Sequence, residues 1–313
     1  MICKIINSPK NIKDAIKMRF FTLSIMLLSF QAFSQNNEMK ALRNEIQKII
    51  SGKNATVGVS IKGINDKDTL SISGNLDMPM MSVFKFHIAL AVLNEIDKGK
   101  LKLNQKIFIK KEDLLPETWS PIRDEFPEGN IHLTLDQLLR YTVSHSDNNG
   151  CDILLRLIGG TETVQKFINK QGVKNFTIKV NEAEMSVWEN LYVNTTTPLA
   201  TTDLLQKFYE GKVLKKATTK YLYQIMVECS RGLTWMKAGL PEETELAHRT
   251  GISSTNEANL RVALNDVGIV KLPNGNYFIL AVYLKNITQK REETEKIIAD
   301  IAKATWTYFS SKS

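Results

Sequence analysis

The stretch MMSVFKFHIALAVLNEIDKG, residues 80–99, constrains the fold more than any other part of the chain. Its apolar residues recur with no polar face from Met80 to Ile96, and Asp97-Lys98-Gly99 then supplies a stop, so it reads as a helix apolar nearly all round. Such a helix belongs inside a core. Yet Lys85 stands between Phe84 and Phe86. A lysine is seldom fully buried without a partner, because taking an ammonium out of water is costly or forces loss of its proton. Ser82 precedes it by three positions, which sets both side chains on one helical face with the hydroxyl at the partly positive first turn. The pair is a candidate nucleophile and proton acceptor. A Ser three residues before a Lys also arises by chance about once in a chain of this length, so the remaining sequence must decide.

Asn37 to Ser51 patterns as a helix, and ATVGVSIKG and DTLSISG alternate as a strand pair. Five later segments, TLDQLLRYTV, DNNGCDILLRLIG, TETVQKFINKQ, PLATTDLLQKFYEGKVL and TTKYLYQIMVEC, carry helix-period apolar spacing. ELAHRTG, NLRVALNDVGIVKLP and NYFILAVYLKN then alternate as strands, the latter two joined at Pro273-Asn274-Gly275-Asn276, and a helix runs from about Gln289 to Phe309. Strands near both ends with helices between them imply an α/β (α+β sandwich) fold. Its antiparallel sheet is built from both chain ends and flanked by terminal helices, with an inserted all-helical lobe. The α/β lobe is expected over about 35–79 and 240–313 and the helical lobe over about 80–239, with the site in the cleft between them.

Residues 18–35, MRFFTLSIMLLSFQAFSQ, have a basic start, a short apolar stretch and a small-residue end, the layout of a secretory signal. Residues 1–34 are therefore expected to be removed on export to the periplasm, with Met18 a second candidate start. The apolar stretch is too short for a comfortable membrane span and no Cys follows it to take a lipid, so the mature chain, residues 35–313, is expected to carry no membrane anchor and to act as a monomer. Processing takes away five basic residues and one acidic residue, and the formal charge falls from +8 to +4. The remaining basic residues are scattered, which argues against nucleic acid as a partner. Cys151 and Cys229 would be the only cysteines left, and both sit in apolar patterns that read as buried free thiols. His87, His132, His145 and His248 show no ligand spacing; no metal site and no cofactor are implied.

Three further stretches carry polar chemistry. HSDNNG, residues 145–150, offers the Ser146 hydroxyl and the Asn148 amide between two helices, although Ser-Asp-Asn is also an ordinary helix cap. HRTGISS, residues 248–254, ends a strand with Arg249 and Thr250 before a Gly that permits close backbone approach; the plainer reading is an edge strand with a solvated Arg. VNEAEMSVWENLYVNTTTP, residues 180–198, is an aperiodic stretch with three carboxylates, otherwise a surface loop.

In this order the motifs resemble the penicillin-recognising serine enzymes, and specifically the class A β-lactamases. The separations agree: 64 residues from Ser82 to Ser146, 36 on to Glu182 and 67 on to Arg249. Trp119-Ser120-Pro121 is similar to the family's aromatic gatekeeper, and Asn265-Asp266-Val267-Gly268 resembles Bacteroidetes-type and extended-spectrum members. The resemblance implies hydrolysis of penicillins or cephalosporins, small-molecule substrates, through an acyl-enzyme. Ser82 would attack, the N–H groups of Ser82 and Ile252 would hold the oxyanion, and Lys85 would shuttle the serine proton. Ser146 would relay a proton to the lactam nitrogen and Asn148 would orient the substrate amide. Glu182 would hold the water that releases the acyl group, with Glu184 the weaker candidate. Arg249, Thr250, Ile252, Ser253 and Trp119 would contact substrate.

Several positions depart from the family pattern. Arg249 replaces the usual Lys, a planar fork in place of a point charge. Ile252 removes a hydroxyl that Ser253 would have to supply, Ser186 stands where Asn usually helps hold the water, and Trp235 stands near where an Arg is often found. Two rival readings are a penicillin-binding D,D-peptidase, which lacks the deacylating Glu, and a non-hydrolytic β-lactam-binding protein. A Ser-His-Asp hydrolase would need a Gly-x-Ser-x-Gly elbow, and the chain has none.

Overall fold

The computed structural model describes residues 37–64 and 68–312; the export signal expected over residues 1–34 lies outside them. A helix over residues 37–50 (α1) leads into β1 (Thr56–Lys62) and β2 (Thr69–Ile72). With β8 (Leu246–Ile252), β9 (Arg261–Lys271) and β10 (Tyr277–Ile287) these form one antiparallel sheet in the order β2-β1-β10-β9-β8. The two chain ends meet at its centre, where Val59 pairs with Val282. β9 and β10 are buried on almost every residue rather than every second one. Both faces of the sheet are covered, and strands in that setting lose their polar side. On one face, Leu42 and Ile46 of α1 and Ile297, Ile298 and Ile301 of the last helix, α9 (Arg291–Ser310), pack with Val59 and Leu280.

The other face supports the helices. α2 (Phe84–Asp97) is buried at every position from Phe84 to Leu93, as its all-apolar surface demands. Around it pack α4 (Leu135–Ser144), α5 (Asn148–Ile158) and α6 (Thr161–Lys170), which come after a short α3 (Pro121–Glu125) and before α7 (Pro198–Tyr209) and α8 (Lys216–Val227). Their starts follow sequence chemistry: Thr134 and Gln137 form a capping box on α4, and Thr197 caps α7 with Pro198 in its first turn. Cys151 and Cys229 are buried free thiols.

The helical region is not purely helical. β4 (Lys106–Ile109) pairs with β5 (Ile131–Thr134), and β3 (Met78–Pro79), β7 (Thr195–Thr196) and β6 (Phe176–Thr177) form a small sheet of their own. The two-residue strands β3, β6 and β7 carry too little period to be read from sequence. They matter for the site, since β3 leads into the Ser82 turn and β7 closes the loop that carries Glu182.

Candidate active site

Ser82 lies in a single 3-10 turn, Met81–Val83, which runs directly into α2. The turn is held from outside. Asn265 of β9 donates to the carbonyls of Pro79 and Met80, at 2.8 and 3.1 Å, and Met81 takes the left-handed backbone (φ 46°) that brings the chain round. β8 passes so close that a methyl group on Gly251 would stand 2.4 Å from the Met80 carbonyl oxygen and 3.2 Å from the Ser82 nitrogen. Only glycine permits that approach.

Lys85, wholly buried one turn along, is the hub. Its Nζ donates to Ser82 Oγ at 3.0 Å, to the Ser146 carbonyl at 2.9 Å and to Asn148 Oδ1, with Ser146 Oγ at 3.4 Å and Glu182 Oε1 at 2.7 Å. A charge in that position is tolerable only because an anion and several acceptors meet it. Glu182 is the carboxylate that the fold delivers. Glu184 is exposed and turns back to accept the Asn181 N–H at 2.8 Å.

Asp147 places Ser146 and Asn148. It caps α5, so the capping and functional readings of Ser-Asp-Asn both hold. Its carboxylate accepts the N–H groups of Gly150 and Ile122, both at 2.7 Å, and the Ser120 hydroxyl. Burial raises its pKa and these bonds oppose the rise. Asp152, on α5, likewise accepts the N–H groups of Glu182 and Ala183 at 2.8 and 2.9 Å and so pins the loop at its functional carboxylate. Burial pushes Asp152 up to about 6 against those two bonds.

The site opens onto a cavity of about 550 Å³ lined by Ser82, Trp119, Asn148, Glu182, Met185 and Ile252, among others. A second cavity of about 170 Å³ adjoins it between Ser82, Ser146, Arg231, Trp235 and Thr250. A half-buried serine and carboxylate joined through a fully buried lysine, and facing a cavity of this size, are equipped to take an acyl group and to activate water beside it. The sequence profile of the Beta-lactamase enzyme family matches residues 41–309. The chain belongs to the β-lactamase enzyme family. It is 46% identical to β-lactamase VEB-1 of Pseudomonas aeruginosa over 293 residues, 93% of this chain and 97% of that one. Among solved structures, the TLA-3 extended-spectrum β-lactamase aligns with a TM-score of 0.85 at 46% identity, covering 87% of this chain and 99% of that one. A class A β-lactamase from Bacteroides cellulosilyticus aligns with a TM-score of 0.84 at 33% identity, covering 88% and 99%. The fold is that of the class A β-lactamases.

Seen as a β-lactamase, the chain holds its departures from the family pattern in specific surroundings. Arg249 is not the solvated cation of an edge strand: it is fully buried and donates from Nη2 to Ser146 Oγ at 2.6 Å. It lines neither cavity, and it meets the site through Ser146. Ser253 lines the larger cavity beside Ile252 with its hydroxyl already engaged. Its Oγ accepts the N–H groups of Val262 and Ala263 at 3.0 and 3.3 Å and donates to the Ser254 carbonyl, so the turn into β9 uses it up. Thr250 does line the smaller cavity, and Ile252 lines both. Trp119 stands at the entrance, 46% exposed, with its Nε1 donating to the His145 carbonyl at 2.9 Å.

Other contributors carry weak sequence signals. Arg231 lies over the Trp119 ring at 4.3 Å and brings a cation to the smaller cavity, where Trp235 is buried. Thr118 accepts the Asn148 amide at 2.6 Å, which fixes Asn148 with its oxygen on Lys85. Adjacency to Trp119 was the one hint for Thr118; Arg231 and Asp152 had none.

Proposed function

We propose that this protein hydrolyses the β-lactam ring of penicillin- or cephalosporin-type antibiotics through a Ser82 acyl-enzyme, and so confers resistance on the cell that exports it. The observation that carries the reading is Lys85 Nζ lying 3.0 Å from Ser82 Oγ and 2.7 Å from Glu182 Oε1, between two residues that line the cavity. In the first step the Lys85 ammonium gives a proton to the Glu182 carboxylate, and the amine takes the Ser82 proton as Oγ attacks the lactam carbonyl. The N–H groups of Ser82 and Ile252 receive the developing oxyanion. Collapse breaks the C–N bond. The nitrogen takes the Ser146 hydroxyl proton, which Lys85 replaces across 3.4 Å. Glu182 returns its proton to Lys85 and, again a carboxylate, takes one from the water that attacks the acyl ester. Collapse of this second tetrahedral intermediate breaks the ester C–O bond, the leaving Ser82 Oγ takes a proton from Lys85, Lys85 recovers one from Glu182, and every group is then as it began. Asn148 orients the substrate amide, Trp119 and Thr250 border the bound molecule, and Arg249 sets the Ser146 hydroxyl.

A D,D-peptidase or a passive binder would stay acylated. Glu182, paired with Lys85 and lining the cavity, supports hydrolysis instead. The signal-like residues 18–35 support periplasmic release of residues 35–313 as one catalytic unit, and no helix among the described residues is long and apolar enough to cross a membrane. The experiment is intact-mass spectrometry after mixing with a penicillin. Ser82→Ala should form no adduct, and Glu182→Ala should accumulate one that the parent clears. Accumulation in Glu184→Ala in place of Glu182→Ala would overturn the assignment of the carboxylate.

A further inference from the structure

The two N–H groups that receive the oxyanion come from parts of the chain far apart in sequence, Ser82 from the turn before α2 and Ile252 from the end of β8. An oxyanion hole works only when both donors lie about 3 Å from one point. Asn265 of β9 joins the two halves. Its backbone pairs with Gly251, the residue before Ile252. Its side chain, wholly buried, reaches the Ser82 turn, where Nδ2 donates to the carbonyls of Pro79 and Met80 at 2.8 and 3.1 Å. Oδ1 accepts the Leu284 N–H of β10 at 3.2 Å, and that bond decides which end of the amide faces the turn. Both amide hydrogens therefore meet carbonyl oxygens. Met80 is gripped from further sides as well. Its N–H donates to the Asn194 carbonyl at 2.9 Å, at the end of the loop that carries Glu182, and a methyl group on Gly251 would stand 2.4 Å from its carbonyl oxygen.

We propose that Asn265 is a positioning residue for the reaction: through the Pro79 and Met80 carbonyls it holds the Ser82 turn at a fixed distance from β8, and so aims the Ser82 and Ile252 N–H groups at one point. This role rests on the reading of those two groups as the oxyanion donors. A short amide is the side chain the place demands. Aspartate would turn an oxygen on two carbonyl oxygens, leucine would leave all three backbone groups without this partner, and the longer glutamine would push the turn away from β8. The grip is stiff because β9 is bonded on both sides, to β8 and to β10, and is buried along nearly its whole length. Lys85 and Glu182 are placed by α2 and by Asp152, so losing the amide disturbs the turn first. A shift of about 1 Å there is enough to cost about 100-fold in rate.

The test compares the parent with Asn265→Asp, Asn265→Ser and Leu280→Ala. Stopped-flow acylation by a chromogenic cephalosporin separates the acylation rate from the dissociation constant of the unreacted complex. Affinity for phenylboronic acid, whose tetrahedral adduct on a serine hydroxyl places an oxygen where the oxyanion forms, reads the donors directly. Leu280→Ala opens a cavity on the far face of the sheet and measures what lost stability alone does. Asn265→Asp should acylate at least about 100-fold more slowly and bind phenylboronic acid at least about 10-fold more weakly. Its dissociation constant for unreacted cephalosporin should stay within about threefold of the parent. Asn265→Ser, which keeps one hydroxyl donor, should lose about 10-fold in acylation. Leu280→Ala should unfold at a lower temperature and keep both parent values per folded molecule. Parent-like acylation and boronate affinity in Asn265→Asp, or equal losses in Leu280→Ala, overturn the proposal. Where Asn265→Asp does not fold, Asn265→Ser decides by the same criteria. A parent that no β-lactam acylates would instead refute the proposed function, while phenylboronic acid binding to parent and variants would still report whether Asn265 holds the turn.

Discussion

Asp147→Ala should be among the most damaging single changes in the protein, although Asp147 touches no substrate. Its two oxygens receive the N–H groups of Gly150 and Ile122 at 2.7 Å and the Ser120 hydroxyl at 2.9 and 3.0 Å, in a place closed to water. Each bond to a charged acceptor contributes about 1.5–3 kcal/mol. Part of that sum offsets the cost of burying the carboxylate, the same cost that raises its pKa. Removing the partner and stranding its donors therefore leaves a net loss of about 3–5 kcal/mol. At about 2–4 °C per kcal/mol for a chain of this size, Tm should fall by about 6–20 °C. Asp147→Asn keeps one acceptor oxygen but turns an NH2 group on an N–H or hydroxyl donor, and should lose about half as much. Urea unfolding monitored by tryptophan fluorescence gives the energy, and kcat measured where the variant is still folded gives the effect on Ser146 and Asn148. An alanine variant within about 1 kcal/mol of the parent would show that the cap is not what organises this corner.

Two other perturbations follow from the same geometry. Gly251→Ala would drive a methyl group to 2.4 Å from the Met80 carbonyl and push β8 off the Ser82 turn, so kcat/KM should fall by at least about 100-fold, as when one oxyanion donor is lost; kinetics near those of the parent would refute the close approach. Asp152, held by burial at about 6 against about 4 in the unfolded chain, binds a proton in the native state over that range, so its contribution to stability is greatest below about pH 4 and declines as the pH rises through about 6. Asp152→Asn fixes the uncharged state. Whatever its constant offset, its stability relative to the parent should improve by about 2–3 kcal/mol between pH 4 and pH 7, and a difference in urea midpoints that ignores pH would contradict the burial argument.

The parts of the site legible in sequence were those with local chemistry. An all-apolar helix with one lysine has few physical solutions, and Ser82, Lys85 and Glu182 meet as that oddity required. The central strands were legible because their apolar runs are long, whereas β3, β6 and β7 were hidden by their two-residue length. What remained illegible depends on distance across the fold. The reading of Arg249 as a substrate contact missed that β8 buries it behind Ser146. Ser253 lines the larger cavity, as a substrate contact would, but its hydroxyl is engaged by β9 backbone nine and ten residues away. Asp152 carries no local motif, since it acquires its role only when α5 and the Glu182 loop converge.

The most direct test of the central claim is to mix the purified protein with a chromogenic cephalosporin and follow absorbance and intact mass together. The Ser82–Lys85–Glu182 geometry predicts many turnovers per molecule with only a transient covalent adduct. A single stoichiometric burst ending in a stable adduct would contradict it, showing that Glu182 does not deliver water to the acyl-enzyme.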